Sequence, residues 1–346
     1  MSIPIQNIYY LLCYAWNKLD ESDIVDVRAI SITELVDLFA KILANSTSRL
    51  LKQGLDRYYV EHEYVVNGIK GKLDLTASVK RNLLLSNRTV CHYDEFDYDI
   101  LHNQILKTTI FKLIRTDCLD PELRDELHKI LIKLPPISEI SIRQSHFKQI
   151  RLNRNNYSYD FPLKVCHIIN ENLFFDESSG HYKFRDFLRE EKAMARLFES
   201  FVRNFYKIEQ SEFKVGRENI NWKFAAENDD DMSMLPIMST DISLLSSSRK
   251  IIIDTKFYKE ALKARFDREK INSNNLYQLF SYLMNQESDR DARTLNCEGI
   301  LLYPSIEKGF DFCYIYENHR IRVMSINLNQ EWHGIRNDLL DILALI

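Results

Sequence analysis

Two neighbouring stretches decide the fold: Thr240-Asp241-Ile242-Ser243-Leu244-Leu245 and Lys250-Ile251-Ile252-Ile253-Asp254-Thr255-Lys256-Phe257-Tyr258, joined by the polar link Ser246-Ser247-Ser248-Arg249. Three consecutive isoleucines mark a strand buried on both faces, and the link predicts a hairpin. Ending such a strand in Asp254 and Lys256 is costly, because ions at the edge of a core must be paired or bound to a metal. Side chains alternate along a strand, so Asp254 and Lys256 project to one side, and the hairpin brings Asp241 alongside them. Two carboxylates and an ammonium on one surface suit phosphodiester cleavage. Asp241, Asp254 and the Thr255 carbonyl offer hard oxygen ligands for one or two Mg²⁺ ions. Such ions acidify water and offset charge on phosphate, while Lys256 orients or deprotonates that water or stabilises the transition state. On spacing alone the pattern is permissive, and a surface hairpin with an Asp–Lys ion pair would share it.

The surroundings favour the chemical reading. Residues 249–270 hold eight Lys and Arg (249, 250, 256, 259, 263, 265, 268 and 270) against four acids, a local excess of four positive charges. Downstream, Gln278 and Tyr282 stand four apart, on one face of a helix opening near Ser273, where an amide and a phenol can meet phosphate or water. Tyr258 follows the strand end as a further supporting candidate. A helix over 191–206 carries Met194, Leu197, Phe198, Phe201, Val202 and Phe205 at three-four spacing. Glu199 on that helix is a candidate metal ligand or supporting residue, but it falls off the apolar stripe, which favours a solvent-exposed carboxylate. A strand over 299–303 and a last helix over 332–346 give the order helix, strand, strand, helix, strand of an α/β domain with a central sheet.

Upstream, an apolar set at 8–16 reads as a core-docking helix, and 32–51 as a long amphipathic helix. Tyr58 to Val66 is β-rich, Asn67-Gly68 supplies a turn, and Leu73 and Leu75 alternate with polar residues as a strand. Helices follow at 100–115 and 121–134, the second closed by Pro135-Pro136. Asp94, Glu95, Asp97 and Asp99 read as a cluster at a helix start, complementing its dipole. Arg143, Lys148, Arg151 and Arg154 form a run without an acid, either a solvated face or a contact for phosphate or a partner. The boundary falls at Ser178-Ser179-Gly180: an α+β domain of helices and a small β region over 1–178, then the α/β domain over 179–346.

With 346 residues, 45% apolar and 28% charged, the chain is of ordinary globular composition and long enough for two domains. Its net charge of −4 excludes nucleic-acid binding through an overall basic field, leaving a local patch or a partner. No apolar run approaches the roughly 20 residues of a membrane span. The start lacks the basic region and cleavage site of a secretory signal. The six scattered cysteines read as buried free thiols in a reducing cytoplasm. No histidine spacing suggests a ligand set, and no G-x-x-x-x-G-K-[ST] loop is present.

These features resemble a known family. The opening Ile3-Pro4-Ile5-Gln6-Asn7-Ile8-Tyr9-Tyr10-Leu11-Leu12-Cys13-Tyr14-Ala15-Trp16 is similar to the start of McrC proteins, the nuclease subunits of McrBC modification-dependent restriction systems. The likeness continues in order through Gly68-Ile69-Lys70-Gly71-Lys72, Lys133-Leu134-Pro135, Gly180-His181-Tyr182, Thr240-Asp241-Ile242, Asp254-Thr255-Lys256-Phe257-Tyr258, Asn275-Leu276-Tyr277-Gln278-Leu279, Leu302-Tyr303-Pro304 and Asn327-Leu328-Asn329-Gln330-Glu331-Trp332. The resemblance implies a C-terminal PD-(D/E)xK restriction-endonuclease-like domain that needs Mg²⁺, with Asp241, Asp254 and Lys256 as its catalytic residues. It also implies an N-terminal domain that docks on an McrB-like hexameric AAA+ GTPase and stimulates hydrolysis of the GTP that partner binds. Double-stranded modified DNA, methylcytosine in the best-known system, is then the substrate. Thr255 stands where the family often has Ala. Two copies pairing through the nuclease domain would set a site against each strand, a point the sequence leaves open. The rival reading is a regulatory subunit that activates the GTPase without cutting.

Overall fold

The computed structural model describes residues 3–19, 34–186, 188, 190–225, 229–258, 271–307 and 309–344. The chain divides into one unit of residues 32–185 and another built from residues 1–31 together with 186–346. The boundary expected at 178–179 lies instead in the turn of a small hairpin of the first unit. The opening helix belongs with the C-terminal part of the chain, an affiliation that no local pattern encodes.

That opening helix is α1 (Ile5–Ala15). The 32–185 unit begins with α2 (Leu35–Gln53), whose Leu35, Leu38, Phe39, Ile42 and Leu43 are buried. An antiparallel sheet follows: β1 (Tyr58–Asn67), β2 (Lys72–Asp74) and β3 (Arg88–Asp97), in the order β1-β3-β2. Leu75 does not extend β2; it opens the short helix α3 (Leu75–Lys80), because Asp74 caps that turn by accepting from the Ala77 N–H at 2.8 Å. Gly71 has φ +74°, and a Cβ there would stand 2.6 Å from the His92 carbonyl oxygen, so the turn into β2 requires glycine.

Asp94, Glu95 and Asp97 lie on β3 rather than at a helix start. Glu95 accepts from the Tyr64 hydroxyl and Asp97 meets His62, so cross-strand partners hold acids that read locally as helix-capping. Asp99 does precede a helix and accepts from the Gln104 side chain and the Ser138 N–H. The helices are α4 (Leu101–Ile114), α5 (Pro121–Lys133), α6 (Gln144–Gln149) and α7 (Asp160–Asn172), with the hairpin β4 (Leu173–Asp176) and β5 (His181–Phe184). Their core joins α2, α4, α5 and α7.

In the second unit, α8 (Glu191–Glu209) buries Met194, Leu197, Phe198, Phe201, Val202, Phe205 and Tyr206 along the expected stripe. Then come β6 (Lys214–Gly216), β7 (Asn219–Ile220), β8 (Met238–Ser239), β9 (Ile242–Leu245) and β10 (Lys250–Thr255). They are followed by α9 (Ser273–Gln286), α10 (Ala292–Leu295), β11 (Glu298–Ser305), β12 (Asp311–Tyr316), β13 (His319–Asn327) and α11 (Trp332–Ala344). Six strands form a mixed sheet in the order β12-β13-β11-β10-β9-β6. β10 pairs antiparallel with β9 and parallel with β11, so every residue of β10 is buried, as its isoleucines require.

Helix α1 packs on α8. Tyr14 meets Phe201 and Phe205 at ring-centroid distances of 5.9 and 5.5 Å, and Trp332 at 5.3 Å. Asn204 donates to the Tyr14 and Ala15 carbonyls, satisfying the last turn of α1, and Asn7 donates to the Leu328 and Gln330 carbonyls.

Helix α9 lies close over β11 because Gly299 has no side chain: a Cβ there would sit 2.9 Å from Leu283 Cδ1 and 3.1 Å from Leu279 Cγ. Gly299→Val is expected to lower unfolding stability by about 1–3 kcal/mol through overpacking, measured by denaturant titration. An unchanged midpoint would show that α9 yields without cost.

Of the six cysteines, Cys118 and Cys313 are exposed, contrary to the expectation that all are buried; all six are free thiols. No helix of the described residues is long and apolar enough to cross a membrane.

Candidate active site

The register places the acidic pair. Ile242 faces Ile253 across β9 and β10, and one step further along the antiparallel ladder Asp241 comes opposite Asp254, at the rim of the sheet. Asp241 Oδ2 accepts from the Thr255 N–H at 2.9 Å and from its hydroxyl at 3.1 Å. Only the Thr255 carbonyl entered the sequence reading, yet its hydroxyl also holds Asp241, which alanine at this position cannot do.

Asp254 is fully buried. Lys256 Nζ lies 2.6 Å from its Oδ2, but without the alignment of a hydrogen bond, and neither carboxylate oxygen has a hydrogen-bond partner. Burial, reinforced by the neighbouring Asp241 charge and opposed by Lys256, pushes its pKa up to about 6. Lys256 is held from the other side by Gln278 Oε1 at 2.8 Å. Gln278 Nε2 donates to the Tyr282 hydroxyl at 2.7 Å, which donates to the Ser239 carbonyl at 2.9 Å. Burial and the two aspartates raise the Tyr282 phenol above its ordinary value, so it keeps its proton. The Tyr258 hydroxyl donates to Asn275, whose amide donates to Tyr303 at 2.9 Å. Asn275, Gln278 and Tyr282 follow i, i+3, i+7 spacing, one face of α9 turned to the strand ends.

Glu199 is not a solvated carboxylate: it is half-buried, and its Oε1 meets Arg203, at 2.7 Å, and Arg217. Arg203 reaches on toward the Asp241 carbonyl oxygen at 3.4 Å. Arg203 and Arg217 were absent from the sequence reading, and Asn275 entered it only within a block that carries the family resemblance, without a role; the signal available was spacing, Arg203 four residues after Glu199 and Asn275 three before Gln278.

Two of the clustered cations serve the fold. Arg249 pairs with Glu298 at 2.7 Å and donates to the Leu343 carbonyl, and Lys250 pairs with Glu218 at 2.6 Å. Lys259, Lys263, Arg265, Arg268 and Lys270 lie outside the described residues. Arg143, Lys148, Arg151 and Arg154 are exposed in the other unit, Arg143 just before α6, Lys148 on it and the other two after it.

Among the described residues no group of three or more His, Cys, Asp or Glu side chains is arranged to hold a metal. What the rim offers is two carboxylates and the adjacent Thr255 carbonyl. Asp254 lacks hydrogen bonds, and the Lys256 ammonium is the counter-charge beside it for two adjacent carboxylates, so this all-oxygen donor set fits a hard divalent cation.

A mixed six-stranded sheet bearing helices, with an aspartate pair and a lysine at adjoining strand ends, is the architecture of this unit. A family model described as "McrBC 5-methylcytosine restriction system component" matches residues 6–304, and the chain belongs to that family. It is 33% identical over 340 residues to the "Type IV methyl-directed restriction enzyme EcoKMcrBC" of Escherichia coli (strain K12), covering 98% of this chain and 97% of that one. The fold is similar, with a TM-score of 0.61 and 16% identity, to a chain in the "Refined half-complex from tetradecameric assembly of Thermococcus gammatolerans McrB AAA+ hexamers with bound McrC". That match covers 99% of this chain and 76% of the other.

Proposed function

We propose that this chain is the Mg²⁺-dependent DNA endonuclease subunit of a GTP-driven, modification-dependent restriction complex, with a PD-(D/E)xK nuclease core in the unit that contains residues 186–346. The observation that carries this reading is the buried Asp254 carboxylate, short of hydrogen bonds and flanked by Asp241 and Lys256. Asp241, Asp254 and the Thr255 carbonyl would hold the cation, which supplies Lewis acidity at the phosphate and lowers the pKa of water. Thr255 keeps Asp241 oriented through its N–H and hydroxyl. Lys256 stabilises negative charge building on the phosphate oxygens. As the water oxygen bonds to phosphorus, the bond to one ester oxygen breaks and the water proton passes to the departing alkoxide.

The partner is an McrB-like hexameric AAA+ GTPase, consistent with the assembly named for the structural neighbour. GTP is bound by that partner, and this chain stimulates its hydrolysis. The substrate is double-stranded modified DNA, and the place of action is the cytoplasm, where DNA and GTP meet. Net charge of −4 suits a nuclease that engages DNA weakly until a partner delivers it.

The test mixes the chain with an McrB-like AAA+ GTPase, GTP, Mg²⁺ and methylated duplex. Wild type is expected to cut and to accelerate GTP turnover; Lys256→Ala is expected to accelerate turnover equally without cutting. GTPase activation with no cleavage by the wild type would replace this reading by that of a purely regulatory subunit.

A further inference from the structure

We propose that Gln278 and Tyr282 are positioning residues that hold the Lys256 ammonium in one orientation, and that neither touches the phosphodiester; this rests on the hydrolytic reading above. The hydrogen-bond directions establish the chain of command. The Tyr282 hydroxyl spends its proton on the Ser239 carbonyl, so toward Gln278 it can only accept. That fixes Nε2 of the amide on Tyr282 and turns Oε1 toward Lys256.

Gln278 is exposed, and an exposed amide by itself exchanges its partners with water. Tyr282 is 4% exposed and tied to the end of β8, so it anchors the amide from beneath. The consequence falls on Lys256. An ammonium has three N–H donors; contact with Asp254 alone leaves the group free to swing on its four-carbon stem. With one N–H donated to Gln278 Oε1 at 2.8 Å and the Asp254 carboxylate 2.6 Å away as counter-charge, the ammonium is held between two groups and its remaining N–H donors are restricted in direction. Orientation of this kind acts on the rate of the chemical step rather than on affinity.

The test uses the complete complex with GTP, Mg²⁺ and methylated duplex, comparing Gln278→Met, Gln278→Glu, Tyr282→Phe and the Gln278→Met/Tyr282→Phe double variant. Gln278→Met is expected to lower kcat by roughly 10- to 100-fold with KM for DNA unchanged. Tyr282→Phe is expected to lose less, and the double variant no more than Gln278→Met, because the tyrosine acts only through the amide. Gln278→Glu is expected to retain more activity than Gln278→Met, since a carboxylate still accepts from the ammonium. A direct phosphate contact reverses that order, with glutamate worst and KM raised. Either this reversal or additive losses in the double variant would overturn the proposal.

A second measurement needs no catalysis. In the isolated chain with chelator present, acylation of the Lys256 amine, followed by mass spectrometry, is expected to be several-fold faster in Gln278→Met than in wild type. Equal rates overturn the positioning role whatever the activities show. Faster labelling in a chain whose wild type never cuts would sustain the positioning role and sink the hydrolytic reading instead.

Discussion

Asp254→Asn is expected to reduce DNA cleavage by about 10³-fold or more while making the isolated chain more stable at alkaline pH. The two effects share one cause. The carboxylate is buried and short of hydrogen bonds, and its pKa rises from 3.8 to about 6 on folding. Below the unfolded value both states hold the proton, and the group has no effect on stability. As pH climbs through the interval between the two values, the unfolded chain releases its proton first, so folding is increasingly disfavoured. Above roughly pH 7 the penalty is complete, about 3 kcal/mol at 1.36 kcal/mol per pKa unit. Asparagine has nothing to ionise. Melting curves in chelator are therefore expected to agree at pH 4 and to separate at pH 8, with the variant higher. Mg²⁺ is expected to raise the wild-type transition and leave that of the variant in place. A variant less stable at pH 8, or equally raised by Mg²⁺, would contradict the assignment of Asp254.

Phe201→Ala carries the second large effect. Its ring fills the junction of three elements distant in sequence, touching Tyr14 of α1, Phe198 and Phe205 of α8 and Trp332 of α11. Replacing a fully buried phenylalanine by alanine costs about 3–5 kcal/mol, so a fall in the thermal midpoint of this unit by roughly 10 °C is expected. A fragment of residues 179–346 meets the same difficulty in stronger form. It lacks α1, so the faces of Phe201, Phe205 and Trp332 that Tyr14 covers meet water, and the fragment is expected to aggregate. If it remained soluble and monomeric with native near-ultraviolet dichroism, α1 would be an accessory rather than part of the core.

Local pattern carried much of this. The isoleucine run of β10, the stripe of α8 and the hairpin through Ser246 are encoded within a few residues of themselves, and so is the convergence of Asp241, Asp254 and Lys256. What escaped depends on partners far along the chain. β13 begins His319-Arg320-Ile321-Arg322, a stretch to which the sequence reading gave no element. Yet His319 is fully buried between the Cys297 carbonyl and Glu287, and Arg322 is buried against Asp311. β3 hid its strand character beneath acids that meet His62 and Tyr64 only once the sheet has formed. The functional supports were missed for a related reason. The Thr255 hydroxyl and Arg203 act on Asp241, fourteen and thirty-eight residues away, and nothing local announces either contact.

The pairing of α1 with α8 and α11 has a consequence for biosynthesis. A ribosome delivers α1 long before α8 and α11, while all three must join one core. Residues 32–185, a unit with its own interior, can settle as they emerge, but α1 must wait through their whole synthesis for its neighbours. The rim that carries Asp241, Asp254 and Lys256 therefore assembles after the intervening segment is already in place. A truncated nascent polypeptide that stops short of α11 leaves that rim unassembled.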